Sequence, residues 1–565
     1  MKTKNKRWYI IIAVIAIIIA GFVVVGNYTD RLVDPFVRSL LEETKPMGHN
    51  IEYGKIRVSL FSGSITVEKV RIFPEDTLSE NKVRFNIEVE SIKLTDFEFW
   101  QLVMNKNLQI QDFVIDDPNV NIILPVKTAD AINEVKERQE PKPKEQLLKN
   151  VFLEKIIISG GNFKLYRSDT LLAQTTDIQF LAQEINLKRN SLDEPIGYTF
   201  SDISLSLKNI DLNPQSGLYD MKLGSLLASK KDSSIVLENF KVIPKYDKRE
   251  YSKKIKFQND RFDLTIGRIE IADIGLERWM NGEALNISKL LIEGLDADIY
   301  RDKNVPADMN RFPLFYNESF LKLKIPVYID SVLVTNSKIL YGELALERDK
   351  AGTILLEDFN VQMFDLTNNV DADSIENFMA MNVQAKIMGE GQMNIELALP
   401  LQGDLHKFSC MGSVGAMELK PLNDMLEPAI NITFNGGKPD RMAFAFTAND
   451  NVSDGWMEFL FSGLDVALLK KDAEKQWGFV SLMANAVAMS NNPVDGKDLK
   501  VVEIGFERDK NKGIINYVYK TIQSGMVRTI IPTNKYRIKQ KQEEGVNQQA
   551  KTGENKKEKK NKKKG

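Results

Sequence analysis

Few residues in this chain of 565 are of the types that perform chemistry. There are two histidines, His49 and His406, which leaves little for proton shuttling near neutral pH. The lone cysteine, Cys410, can form no internal disulfide and no Cys-ligated zinc site, so it is expected as a small buried hydrophobe. Asp116 and Asp117 are paired carboxylates, but Pro118 follows them and the trio reads as a strand-end turn. Gly389-Glu390-Gly391 lacks the strand-to-helix setting of a nucleotide fingerprint and is also expected to be a turn. No Walker loop, GxSxG, HExxH or calcium-loop pattern occurs. No catalytic residue, metal site or cofactor is therefore expected. A hydrolase reading would need acids or histidines such as His49, His406 and Asp116 to converge in a cleft.

Charge narrows the class further. The first seven residues carry +4, and the stretch from Lys535 to Gly565 carries +8. The formal net charge of −2 therefore leaves about −14 on everything between. An acidic body with basic ends does not suit a nucleic-acid binder, which needs its positive charge on folded surface.

Trp8 to Gly26 is uncharged and built almost wholly of Ile, Val and Ala. Nineteen residues at a helical rise of 1.5 Å span about 29 Å, which matches a bilayer core. Val23-Val24-Val25 directly follow Ala20-Gly21-Phe22, which argues against a cleaved signal peptide. The positive charges before the span place residues 1–7 in the cytoplasm and everything after Asn27 on the other side.

A six-residue pattern, apolar-x-x-apolar-x-apolar, recurs along the body. It begins at Val67, Val89, Ile110, Leu153, Leu207, Leu237, Ile266, Ile287, Ile329 and Leu356. Several copies lie 21 or 22 apart (67 to 89, 89 to 110, 266 to 287) and others 42 or 43 apart (110 to 153, 287 to 329). A unit of about 21 residues, or its double, suggests two short strands with their turns. Longer copies match further, with Ile158, Gly160, Leu165 and Tyr166 aligning on Ile292, Gly294, Ile299 and Tyr300. Period-two alternation, as in Ile203-Leu205-Leu207 and Phe262-Leu264-Ile266, puts one apolar set on one sheet face. The x-x step shifts that phase by one residue, and a bulge or bend would restore it.

The expected fold is mainly β: one N-terminal transmembrane helix, then a long, repetitive, twisted antiparallel sheet with a few short helices. Its apolar face needs a cover. Helical segments are few: Asp30–Thr44, a turn near Phe97–Met104, Ala129–Leu148 within an exposed insertion at Pro125–Asn150, and Ile514–Ile531. The sheet therefore either closes into an elongated sandwich or forms a groove whose apolar lining holds a ligand. Leu205, Leu207, Leu264, Ile266, Ile299 and Ile339 are the candidate lining residues of such a groove.

The organisation expected is a stub (1–7), a membrane span (8–26), a repetitive β-region (27–370), a different β-region (371–512), an amphipathic helix (513–532) and a basic tail (533–565). Met393–Leu399, Ile430-Ile432-Phe434 and Met442-Phe444-Phe446 read as strands of the second β-region, with Gly436-Gly437-Lys438-Pro439 as hairpin punctuation. Ile515, Val518, Ile522, Met526 and Ile530 make one apolar helix stripe, suited either to packing on the sheet end or to a membrane interface. The basic tail is expected to be solvated or to touch phosphate-bearing headgroups.

Tyr53–Ile72, Val89–Ile122 and Gly412–Phe446 resemble the AsmA-like family of bacterial envelope proteins. In Val89–Ile122 the order strand, short helix, strand, then an apolar residue near a proline is the most family-like stretch. The resemblance implies a Gram-negative inner-membrane anchor, a periplasmic body, a role in outer-membrane homeostasis and, in larger members, phospholipid carried along a β-groove. Membrane phospholipid and envelope proteins are the partners it implies. The family is not defined by catalytic residues, so none carries over. The alternatives are a non-catalytic adaptor assisting outer-membrane protein assembly and, less favoured, an envelope hydrolase.

Overall fold

The computed structural model describes residues 48–59, 63–75, 82–96, 107–125, 150–188, 197–369, 377–469 and 488–531. The expected span at 8–26, the segments 30–44, 97–104 and 129–148, the break at 371–375 and the tail at 533–565 lie outside them. Among the described residues no helix is long and apolar enough to cross a membrane. The chain divides into two compact units, one of residues up to Lys245 with Glu270–Asp273, the other of Tyr246–Ile269 and everything from Ile274 onward.

The first unit holds β1 (His49–Glu52), β2 (Ile56–Ser59), β3 (Ser64–Pro74), β4 (Arg84–Thr95), β5 (Asn107–Asp116) and β6 (Asn119–Leu124). It continues with β7 (Asn150–Arg167), β8 (Thr170–Lys188), β9 (Gly197–Thr199), β10 (Asp202–Leu212), β11 (Tyr219–Ser229) and β12 (Ser234–Pro244). β1 and β2 both pair with β3, and β4 pairs with β5 along one half and β6 along the other. β7, β8, β10, β11 and β12 then follow as successive neighbours.

The second unit holds β13 (Arg261–Ala272) up to Ile269, β14 (Leu285–Asp302), β15 (Val327–Leu344), β16 (Gly352–Thr367) and β17 (Phe378–Ile387). β18 (Gly391–Pro400), β19 (Phe408–Val414), β20 (Ile432–Ala448), β21 (Val452–Leu468) and β22 (Val501–Glu507) complete it. Its helices are α1 (Lys248–Lys254), α2 (Leu276–Met280), α3 (Tyr316–Leu321), α4 (Asn423–Ile430) and α5 (Ile514–Ile530).

The fold is mainly β, but the sheet is mixed rather than antiparallel throughout. β5 and β6 run parallel to β7, and β14 runs parallel to β15. A parallel pair needs a crossover of a dozen or more residues. The segment from Lys303 to Pro326, which contains α3, supplies one. These pairs also explain the longer repeat spacings: Ile110 faces Leu153, and Ile287 faces Ile329. The spacings of 42–43 thus mark parallel neighbours in register. Nor does a copy comprise two short strands: β7, β14 and β15 are single strands of 18 residues.

The x-x step is a left-handed bend in four of the ten copies. Lys69, Asn209, Asn239 and Asp358, each at the third position of a copy, have φ of 56°, 50°, 56° and 46°. Gly160, Gly294 and Asn336 are left-handed as well, and in the parallel pairs Gly160 falls opposite Asp117 and Gly294 opposite Asn336. Some ladders shift register at the step, as β10–β8, β15–β16 and β16–β17 do. In β3–β4 and β10–β11 the register persists while one position drops out. The phase is corrected either way: Ile65 and Val70 are both buried despite an odd separation, as are Val89 and Leu94.

Two strand assignments in the second unit need correction. Ile430 ends α4, because Asn431 turns left-handed (φ 56°) and β20 starts only at Ile432. Gly436-Gly437-Lys438-Pro439 lies inside β20, where the ladder with β21 is irregular. A Cβ on Gly437 would sit 3.0 Å from the Leu464 Cα, so the close approach there requires glycine.

Candidate functional site

Strand alternation and the bends together build an apolar face in each unit. In the first, one row of directly opposed residues runs Val67, Ile92, Ile115, Ile158, Phe180, Leu205, Ala228, Ile235. That row crosses eight strands without a polar residue, about 34 Å at the usual inter-strand spacing. Leu207 extends the face on β10, opposite Leu226 of β11. The opposite face is mixed: Val114, Ile157 and Leu181 are directly opposed there, and Asp116 accepts hydrogen bonds from Ser91 Oγ (2.8 Å) and Ser159 Oγ (3.0 Å).

Every member of the eight-residue row is only half-buried. A dry cluster of Ile65, Leu94, Ile110, Phe113, Leu153, Ala182 and Ile185 flanks it. The helices whose packing is defined (α2 to α5) all rest on strands of the second unit.

In the second unit the corresponding row is Leu290, Val332, Met363, Met381, Leu397, Cys410, Phe446, Gly455, Ile504. Its members from Leu397 onward lie in a closed core with Phe315, Phe408, Phe444, Phe459 and Phe461. α5 seals that end: a Cβ on Gly525 would approach Ile504 Cγ2 to 2.5 Å and Met457 Sδ to 2.7 Å. Burial pushes the Cys410 thiol up to about 12, which keeps it protonated and inert. The Tyr517 hydroxyl, also on this face of α5, is pushed up to about 12 by burial.

The other candidate lining residues sit at the opposite end of the second unit. Ile299 faces Tyr341, and Ile339 lies between Ala297 and Leu356. Leu264 and Ile266 are on β13, whose two ends are tied to β14 by the Asp260–Arg301 pair and by the Gly275 N–H donating to the Asn286 carbonyl. All four are half-buried. The structure therefore groups Leu205 with Leu207 in one unit and Ile299 with Ile339 in the other. A charged network that the sequence did not suggest closes this end. Arg301 grips Asp260 through two bonds of 2.6 and 2.7 Å, while Glu343 takes the Tyr341 hydroxyl (3.0 Å) and Lys303 (2.5 Å). Burial first, then the Glu343 charge, raises the Tyr341 hydroxyl well above its ordinary range.

One member of the helix stripe, Ile515, needs correction. α5 buries Ile514, Tyr517, Thr521 and Gly525, one position back from the apolar series, and Ile515 is 63% exposed. Val518, Ile522 and Met526 are partly buried against the same core, and Ile530 is fully buried. Small residues decide the orientation because they let the helix backbone approach the sheet. Thr521 Oγ1 lies 2.7 Å from Ser453 Oγ at that contact.

The residues tested for catalysis are each held by partners within their own unit. His49 is buried, stacked on Phe85 at 3.6 Å, and its Nε2 accepts the Phe85 N–H. His406 lies in the other unit, with Nε2 3.6 Å from Glu318 and 3.9 Å from Asp450. Those carboxylates are already committed, Glu318 to the Phe315 N–H and Asp450 to Arg508 and Lys510. Among the described residues no cluster suited to a metal ion occurs. No protein-family model matches this chain, and no curated protein matches it.

Proposed function

We propose that this chain binds phospholipid along its apolar sheet face, as a non-catalytic, membrane-anchored envelope protein of the AsmA-like kind. The observation that supports this best is the eight-strand apolar row of the first unit, which stays half-buried from end to end. An apolar strip of this length that is only partly covered is unusual on a protein meant to face water alone, and this supports a binding surface. Its Val, Ile and Leu side chains offer an acyl chain the same non-directional burial that a protein core would. In this reading the strip is one wall of a groove, the opposite face meets solvent, and the 8–26 segment tethers the body to the inner membrane.

The test is site-specific photo-crosslinking with the full chain in cells. Probes at Leu205, Leu207, Leu264, Ile266, Ile299 and Ile339 are expected to capture phospholipid, and probes at Ser206 and Lys208 on the opposite face are not. A folded protein that captures none at any of the six, or captures equally on both faces, ends the proposal.

A further inference from the structure

The crossover between β14 and β15 sorts its large side chains in an unusual way. Phe315 is wholly buried under the Arg508 guanidinium (4.3 Å to the ring centroid), yet Met309 and Phe312 are 66% and 65% exposed. The backbone that presents them is pinned. Asn511 Nδ2 donates to the carbonyls of Met309 (2.8 Å) and Arg311 (3.1 Å), and a Cβ on Gly513 would touch Pro313 at 4.0 Å. These contacts lay the loop beside the start of α5, whose Ile515 and Tyr519 also point outward. The result is a pair of pinned segments that expose Met309, Phe312, Leu314, Ile515 and Tyr519.

We infer that this apolar patch is a docking surface for an anionic phospholipid bilayer, separate from the apolar sheet face. Its charge selects that occupant. The two segments that build it, residues 303–324 and 508–520, contain eight Lys and Arg against three Asp and Glu; Lys303 pairs with Glu343, and Arg508 and Lys510 pair with Asp450, so the basic excess rests on Arg311, Lys322, Lys324, Lys512 and Lys520. Bulky apolar side chains among basic ones enter the headgroup region and meet anionic lipid together.

The experiment uses the full chain held in a zwitterionic nanodisc by its own N-terminal segment. Phe312→Cys and Ile515→Cys each carry an environment-sensitive fluorophore, and the buried Cys410 stays unlabelled. Leu227→Cys, half-exposed on β11 of the other unit, is the control. Adding vesicles with 30% phosphatidylglycerol is expected to blue-shift the first two labels and not the third. Pure phosphatidylcholine vesicles should bind at least tenfold more weakly. Replacing Arg311 and Lys512 by Gln should weaken binding roughly fivefold for each cation. Three outcomes overturn the proposal: no shift with anionic vesicles, an equal shift at Leu227, or a shift that follows protein concentration without lipid. The last assigns the patch to a second copy of the chain.

Discussion

Replacing Leu207 by Asp separates a lipid-lined face from a closed protein core. Leu207 is partly buried opposite Leu226, so its loss forfeits roughly two thirds of the 1.5–3 kcal/mol of a fully buried leucine, about 1–2 kcal/mol. A carboxylate there keeps its hydration on the open side, and the total penalty should stay near 1–2 kcal/mol. Leu399 in the closed core of the second unit is the matched control, being wholly buried. Asp at that site loses the whole leucine term and must also be protonated, which for a pKa raised 3–5 units adds about 4–7 kcal/mol. That sum reaches the 5–15 kcal/mol by which a typical domain is stable, so Leu399→Asp should be degraded. Leu207→Asp should accumulate normally, resist limited proteolysis as the parent does, and lose co-purifying phospholipid by mass spectrometry. Disappearance of Leu207→Asp alongside Leu399→Asp would mean the first unit is a closed sandwich. A stable Leu207→Asp protein with undiminished phospholipid would refute the groove.

Asn209 is left-handed, so Asn209→Val should destabilise the first unit by about 1–2 kcal/mol while Asn209→Gly is nearly neutral, as thermal melting would register. The Lys500 ammonium donates to the carbonyls of Arg528 (2.6 Å), Thr529 (3.2 Å) and Ile531 (3.2 Å), closing the C-terminal end of α5. Lys500→Met should cost about 1–3 kcal/mol and raise hydrogen exchange in the last turn of that helix. The hydrogen bond from Lys510, and after it the charges of Arg508 and His406, hold the Asp450 carboxyl below its ordinary range. Its contribution is therefore full above about pH 4 and is lost as pH falls through the depressed value. Asp450→Asn should flatten that acid limb in a melting-temperature profile and leave the neutral region little changed.

Much of the strand pattern was legible because alternation and the six-residue step are local. Val67, Val89, Leu207 and Leu237 mark strands by their own neighbours, and the phase slip between Val67 and Val70 announces a bend. The pairing sense was not local. A spacing of 42–43 fits two antiparallel hairpins as well as one parallel crossover, and only the long segment from Lys303 to Pro326 distinguishes them. The α5 stripe was misread at Ile515 for a related reason. Hydropathy favours Ile515, whereas the contact with Ile504 and Met457 selects the small Gly525 and the hydrogen-bonding Thr521. For the candidate site, alternation identified the face that Leu205 and Leu207 share. Which apolar face would be sealed depended on α5, hundreds of residues away in sequence.

The two apolar faces differ in what they are made of, and that difference tracks their burial. The row in the first unit is β-branched or small apart from Phe180 and Leu205, giving a low, even surface. The sealed part of the second unit is thick with Phe408, Phe444, Phe446, Phe459 and Phe461 and with Met442 and Met457. Long and aromatic side chains reach across to an overlying helix and fill the irregular space beneath it, as Met457 does under Gly525. Short β-branched side chains cannot reach so far, and they leave a shallow surface that a thin, flexible chain can lie along. One repeat geometry thus yields two outcomes. Bulky residues close the sheet beneath α5, and short ones leave the first unit's row half-buried.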